Sequence, residues 1–227
     1  MHFLVIGLLL LAIIFGPGLW VRRVMEKYSQ PDDRYRGSGA QLARLLLDRH
    51  GLGEVPVEET PKGDHYDPVE KVVRLSPGNF SGRSLTAITV AAHEVGHAIQ
   101  DQTDYTPLKL RHQLVTLMGP VERLGAGILM VSPFIGMLTR APGLGMVMFL
   151  GGLLSLGTAA IVHLVTLPTE IDASYGRALP MLEDASILIE GDQPHAERIL
   201  RAAALTYVAA SLASLLNVAR WWAILRR

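Results

Sequence analysis

The sequence predicts a mainly α membrane protein, with three or four transmembrane helices and a small α+β element on the cytoplasmic side. Hydrophobic residues make up 49% of the 227 positions and mean hydropathy is +0.29. This excess gathers in a few long segments rather than spreading along the chain. Basic side chains crowd the end of the first apolar segment. The one extended polar region carries short alternating pieces of strand character between two helical patterns. The length suits one sizeable domain, or a small domain plus membrane spans.

Residues 1–20 form an amino-terminal transmembrane anchor. Phe3 to Trp20 is uncharged, about long enough to cross the hydrocarbon core, and ends in Trp20, Arg22 and Arg23, an interfacial aromatic with basic anchors. The alternative is a cleaved signal peptide. Signal peptides carry their charge before the apolar run and a small-residue cleavage site after it. Here the charge follows the run, which favours a retained anchor.

Residues 21–120 read as a soluble region. Ser38 and Gln41 have capping-box spacing, Leu42, Leu45 and Leu46 give the following helix an apolar face, and Gly51 is a natural stop. Val55, Val57 and Glu59 alternate, and Val72 to Leu75 follow as a second strand. Asp64-His65-Tyr66-Asp67-Pro68 is expected in or beside the turn between them. A second helix starts near Ser81 or Ser84 and runs to about Gln100.

Residues 121–167 read as a transmembrane helical hairpin. Leu124 to Leu138 is apolar, with Pro133 inside it, and Gly143 to Leu167 has His163 as its sole ionisable group. His163 is open to two readings, a packing histidine or a functional one. Gly125, Gly127, Gly151 and Gly152 lie within these segments and suggest close helix packing rather than phosphate loops. Residues 168–200 form a cytoplasmic segment that Pro180 is expected to break. Residues 201–227 form a fourth transmembrane helix or a helix lying along the interface. Arg22, Arg23, Lys27, Arg34 and Arg36 follow the first span and place the 21–120 region in the cytoplasm.

Lys plus Arg and Asp plus Glu are equal at 21 each, which argues against a nucleic-acid partner. The chain has no cysteine, so disulfides and thiolate metal sites are excluded.

The chemistry concentrates in His93-Glu94-Val95-Gly96-His97, a His-Glu-x-x-His motif. Positions four apart share a helix face, so both imidazoles can reach one zinc ion. Glu94 points about 100° away from His93, toward the open side of the metal, where it can act as general base. The motif helix is apolar on most sides. Thr86, Thr89, His93, His97 and Gln100 form its one polar strip, so the helix is expected to be buried and its histidines to need partners. The blander alternative is a chance match with both histidines hydrogen-bonded in a core, which the helical context and the membrane architecture disfavour.

A catalytic zinc site takes three protein ligands. The extension His-x-x-Gly-x-x-His is absent here, so a distant carboxylate is expected. Glu170, in Leu167-Pro168-Thr169-Glu170-Ile171-Asp172-Ala173-Ser174, is the best candidate, in the first turn of a helix begun at Pro168 or Thr169. A first-turn carboxylate that merely favours the helix dipole is the alternative. Asp172 is a candidate for orienting a ligand histidine. His65 and Arg177 are further candidates for substrate contact, although a self-bonded turn and a surface position are the ordinary roles of such residues.

The motif at 93–97, with Gly63-Asp64-His65-Tyr66-Asp67-Pro68, Val73-Arg74-Leu75-Ser76 and the 167–174 segment, resembles the YugP-like neutral zinc metallopeptidases of bacterial membranes. The resemblance covers nearly the whole chain and strengthens Glu170 as the third ligand. The layout is also similar to HtpX-like membrane proteases. That likeness implies a gluzincin-like site, and hence a zincin-like element, facing the cytoplasm. In the HtpX pattern an Asp follows the ligand Glu by four positions; Ser174 stands there in this chain.

The resulting expectation is a zinc-dependent endopeptidase in the bacterial inner membrane. It is multi-pass, and its protein or peptide substrates include membrane proteins. A zinc-binding membrane scaffold without peptidase activity is the alternative, and a transporter is a weaker one. Substrate identity and oligomeric state have no signature in the sequence.

Overall fold

Ser38 starts the first well-packed helix of the polar region as its spacing predicts. Its hydroxyl accepts from the Gln41 amide at 3.3 Å, and the Gln41 side chain accepts from the Ser38 amide at 2.9 Å. In the computed structural model, which describes residues 2–184 and 186–206, this helix is α2, Gly39–Arg49, preceded by α1, His2–Tyr28. Leu42, Ala43, Leu46 and Leu47 are its buried face, and Leu45 is exposed. The apolar stripe therefore sits one position round from the expected Leu42–Leu45–Leu46 face. Gly51, at φ +72°, takes the left-handed conformation that ends the helix.

Three short strands follow: β1 Val57–Glu59, β2 His65–Asp67 and β3 Val72–Leu75. They form one sheet in the order β1-β3-β2. Val57 pairs with Val73 in parallel, and Tyr66 pairs with Val73 antiparallel. Of the two placements expected for 64–68, in or beside the turn, the structure takes the second, with His65–Asp67 as a strand. Tyr66 is buried and donates to Asp101 at 2.7 Å, which holds the segment extended. The turn comes after it, where the Asp67 carboxylate accepts from the Val69 and Glu70 amides. Beside β2, Asp64 accepts from the Ser76 amide and hydroxyl and from Asn79.

After the short α3, Pro77–Ser81, comes α4, Leu85–Gln102. Ser84 caps it, accepting from the Ala87 amide at 3.1 Å. Every residue from Leu85 to Gln100 is buried, as the composition of this helix requires. Its core neighbours include Leu46 and Leu47 of α2 and Val73 and Leu75 of β3.

Two long helices follow, α5 Thr106–Leu138 and α6 Pro142–Ile171. The second passes through Pro168 without ending. It continues as a π-helical segment, Asp172–Ala178, and then as α7, Leu179–Asp184. Glu170 therefore lies at the end of a long helix, not at the start of a new one. Pro180 closely follows the π-helical turn, and the chain stays helical through it in α7, so it does not break the segment. Residues 193–206 are helical. Asp192, which precedes them, accepts two bonds from Arg34 at 2.7 Å and one from Tyr35. This pins the last helix to the loop after α1.

The chain divides into two compact units. One holds residues 18–109 and 167–206; the other holds 110–166 with residues 2–17. In the second, a Cβ on Gly152 would come 2.6 Å from the Leu129 side chain and 2.9 Å from the Gly125 carbonyl. That is the close helix packing expected of Gly125 and Gly152, whereas a Cβ on Gly127 or Gly151 would meet nothing within 4 Å. Among the described residues, Thr106–Ser132, with mean hydropathy 1.5, is the one helix long and apolar enough to cross a membrane; Gly143–Gly152 is shorter. The last apolar stretch beyond residue 206 and the His163 side chain lie outside what is described.

Candidate metal centre

His93 and His97 project from the same face of α4, with ring centroids 4.7 Å apart and planes at 79°. Glu170, from the last turn of α6, meets them. Its Oε2 lies 3.2 Å from His93 Nε2 and 3.4 Å from His97 Nε2. One ligand atom from each residue falls within 4.8 Å of the other two. His93 is 4%, His97 5% and Glu170 1% exposed, so the group has little water to solvate it.

The spacing of α4 from the Glu170 segment depends on Gly96. A Cβ there would sit 2.7 Å from the Ala173 carbonyl oxygen. Any side chain at the fourth motif position would force apart the elements that carry the histidines and the glutamate.

Each imidazole is also held from behind. His97 Nδ1 lies 2.9 Å from Gln100 Oε1. The Gln100 amide nitrogen donates to the Thr169 carbonyl and to Asp172 Oδ2, each at 2.8 Å. Arg177 Nε donates to the same carboxylate oxygen at 2.8 Å, and its Nη2 lies 3.3 Å from Thr103 Oγ1. The Arg177 guanidinium also stands 5.7 Å from the Tyr105 ring centre. His93 Nδ1 lies 3.1 Å from Ser174 Oγ, whose hydroxyl donates to the Leu200 carbonyl at 3.2 Å. The π-helical turn helps here. A Cβ on Gly176 would meet Asp172 Oδ1 at 2.7 Å, so the glycine leaves room for that carboxylate.

Burial by itself pushes the Glu170 carboxyl up. When the imidazoles are protonated, the charge of His97, the hydrogen bonds of both rings and the charge of His93 outweigh it and hold the group well below the usual carboxylate range. An ionised carboxylate and two imidazoles, buried and converging, form a donor set suited to zinc.

A family model described as "Putative neutral zinc metallopeptidase" matches residues 3–226. The chain belongs to that zinc metallopeptidase family. It is 38% identical over 227 residues to "Putative membrane protease YugP" of Bacillus subtilis (strain 168), covering 97% of this chain and 95% of the relative. No solved structure matches it.

In this family member the residues singled out from sequence fall into three groups. His93, His97 and Glu170 come together. Asp172 and Arg177 stand behind them, linked to His97 through Gln100 rather than by direct contact. Glu94 is buried on α4 beside His93. His65 is not in the cluster: it sits on the edge strand β2, its Nδ1 2.9 Å from the Gly63 carbonyl. Gln100 and Ser174 belong to no catalytic motif of the sequence. The available signals were Gln100's place on the polar strip of α4 and Ser174's position four residues after Glu170.

Proposed function

We propose that the chain is a membrane-bound zinc-dependent endopeptidase that hydrolyses peptide bonds near the membrane surface. The observation that carries this is the buried convergence of His93, His97 and Glu170 within 4.8 Å. These three side chains would hold zinc, as in gluzincins, and the bound ion would supply Lewis acidity toward a peptide carbonyl and a lowered pKa to a water. Glu94 takes the proton from the attacking water and passes it to the leaving amine, so that one carboxylate serves as base and then acid. Asp172 and Arg177 support His97 from behind.

The multi-pass layout goes with this reading, with spans in 1–20, 121–167 and 201–227. The 21–120 and 168–200 segments then carry the site on the cytoplasmic face of a bacterial cell membrane. Glu170 stands three positions after Leu167, which ends an apolar run. A site so close to the bilayer favours membrane proteins and their juxtamembrane segments as substrates. An extended substrate can add to a strand edge by backbone pairing. Because β3 is paired on both sides, the free edges are those of β1 and β2, and β2 carries His65.

The test is cleavage of casein by the detergent-purified full chain and its Glu94→Gln variant. The proposal expects wild-type cleavage and a loss of about 10²–10⁴-fold in the variant. Equal rates would remove Glu94 from the mechanism. Zinc binding with no cleavage in the wild type would favour a scaffold.

A further inference from the structure

Two side chains that touch the histidines from behind have their own protons already committed. The Gln100 amide nitrogen faces two acceptors, the Thr169 carbonyl and Asp172 Oδ2. That contact fixes the amide orientation, so Oε1 is the atom turned to His97 Nδ1 at 2.9 Å. A carbonyl oxygen only accepts, so His97 Nδ1 carries the hydrogen. The Ser174 hydroxyl donates to the Leu200 carbonyl, so toward His93 Nδ1, 3.1 Å away, it also acts as acceptor. His93 Nδ1 therefore carries its hydrogen too. Gln100 and Ser174 are both completely buried, and water has little access to replace either partner.

From this geometry we infer that Gln100 and Ser174 are positioning residues that lock both imidazoles as Nδ1–H tautomers. The Nε2 lone pairs are thereby aimed at Glu170 before any metal arrives. The inference rests on the metal-centre reading above and deepens it. In the neutral rings both Nε2 atoms are then unprotonated, so three acceptors lie within 4.8 Å of one another, an arrangement that a cation relieves. The two locks differ in construction. The His93 lock is a single hydroxyl held by a backbone carbonyl. The His97 lock is a chain in which Arg177 holds Asp172, Asp172 holds Gln100, and Gln100 holds the ring. In each case the atom touching the ring is neutral, where a carboxylate is the common partner of a metal-bound histidine. Gln100 must both accept and donate, so a glutamate at that position would set its carboxylate against Asp172. It would also turn a carboxylate oxygen to the Thr169 carbonyl, which now accepts from the Gln100 amide at 2.8 Å.

The test uses full-length, detergent-purified protein labelled with ¹⁵N-histidine. Long-range proton–nitrogen spectra of the metal-free protein, recorded where the imidazoles are neutral, read each tautomer directly. Chelator competition reads zinc affinity on the same samples. Wild type should show His93 and His97 as Nδ1–H. Gln100→Leu should release His97, and Ser174→Ala should release His93, to mixed tautomers. Each should weaken zinc binding by about 10–100-fold. A merely structural role would lower thermal stability without moving the tautomers. If Gln100→Leu does not fold, the wild-type tautomers and Ser174→Ala still decide the matter. Both rings staying Nδ1–H, with affinities within about twofold of wild type, would overturn the positioning role and leave the metal centre intact. A wild type that binds no zinc would instead defeat the metal-centre reading.

Discussion

Gly96 lies so close to Ala173 that a methyl group on it would stand 2.7 Å from the Ala173 carbonyl oxygen. The two residues belong to the helix that carries the histidines and to the π-helical segment that follows the glutamate. Their contact sets the distance across which the three side chains meet. Gly96→Ala should therefore act on the site more than its size suggests. Overpacking of this kind costs about 1–3 kcal/mol. The separation of His93 and His97 from Glu170 should also grow. Thermal melting and zinc titration of the variant check both effects, and wild-type zinc affinity would mean that the contact does not govern the site.

Metal removal should destabilise the unit that holds residues 18–109 and 167–206. A ligand that binds only the folded state adds about 4 kcal/mol at a thousandfold excess over its dissociation constant. Zinc added back to chelator-treated protein should raise the melting temperature, and a His93→Ala, His97→Ala variant should give no such response. An equal rise in that variant would locate the effect at another site.

Acid should unpin the last helix. Burial pushes the Asp192 carboxyl up, but the Arg34 and Tyr35 bonds and the Arg34 charge draw it further down, for a net lowering. A lowered folded-state value means that the stabilisation is present above the unfolded value of about 3.9. It is lost as pH falls through the lower, folded-state value. Asp192→Asn should cost about 1–2 kcal/mol at neutral pH, below the range for fully buried charged bonds because Arg34 is partly solvated. Melting curves at pH 7 and in acid check this. The gap between variant and wild type should close in acid, and a constant gap would refute the assignment.

The sequence made α4 legible because its apolar composition and its two histidines four positions apart point to one buried helix with one polar strip. The capping box at Ser38 and the strand at Val72–Leu75 were equally local signals. Asp and Pro place the 64–68 segment in or beside a turn and leave its strand character unread. What extends it is the pairing of Tyr66 with Val73 and its bond to Asp101, both made at a distance along the chain. Pro168 suggested a helix start, yet α6 runs through it into the π-helical turn. Gln100 and Ser174 are ordinary polar residues in sequence. Their roles depend on partners such as Asp172, separated from Gln100 by 72 positions, and no local pattern encodes that.

The most direct test of the central claim is the zinc content of freshly purified, folded full chain, compared with the Glu94→Gln and Glu170→Ala variants. The account predicts about one zinc per chain in wild type, one zinc retained in Glu94→Gln, and zinc lost in Glu170→Ala, as a three-ligand site requires. Folded wild type without metal, or Glu170→Ala with full zinc, would contradict it.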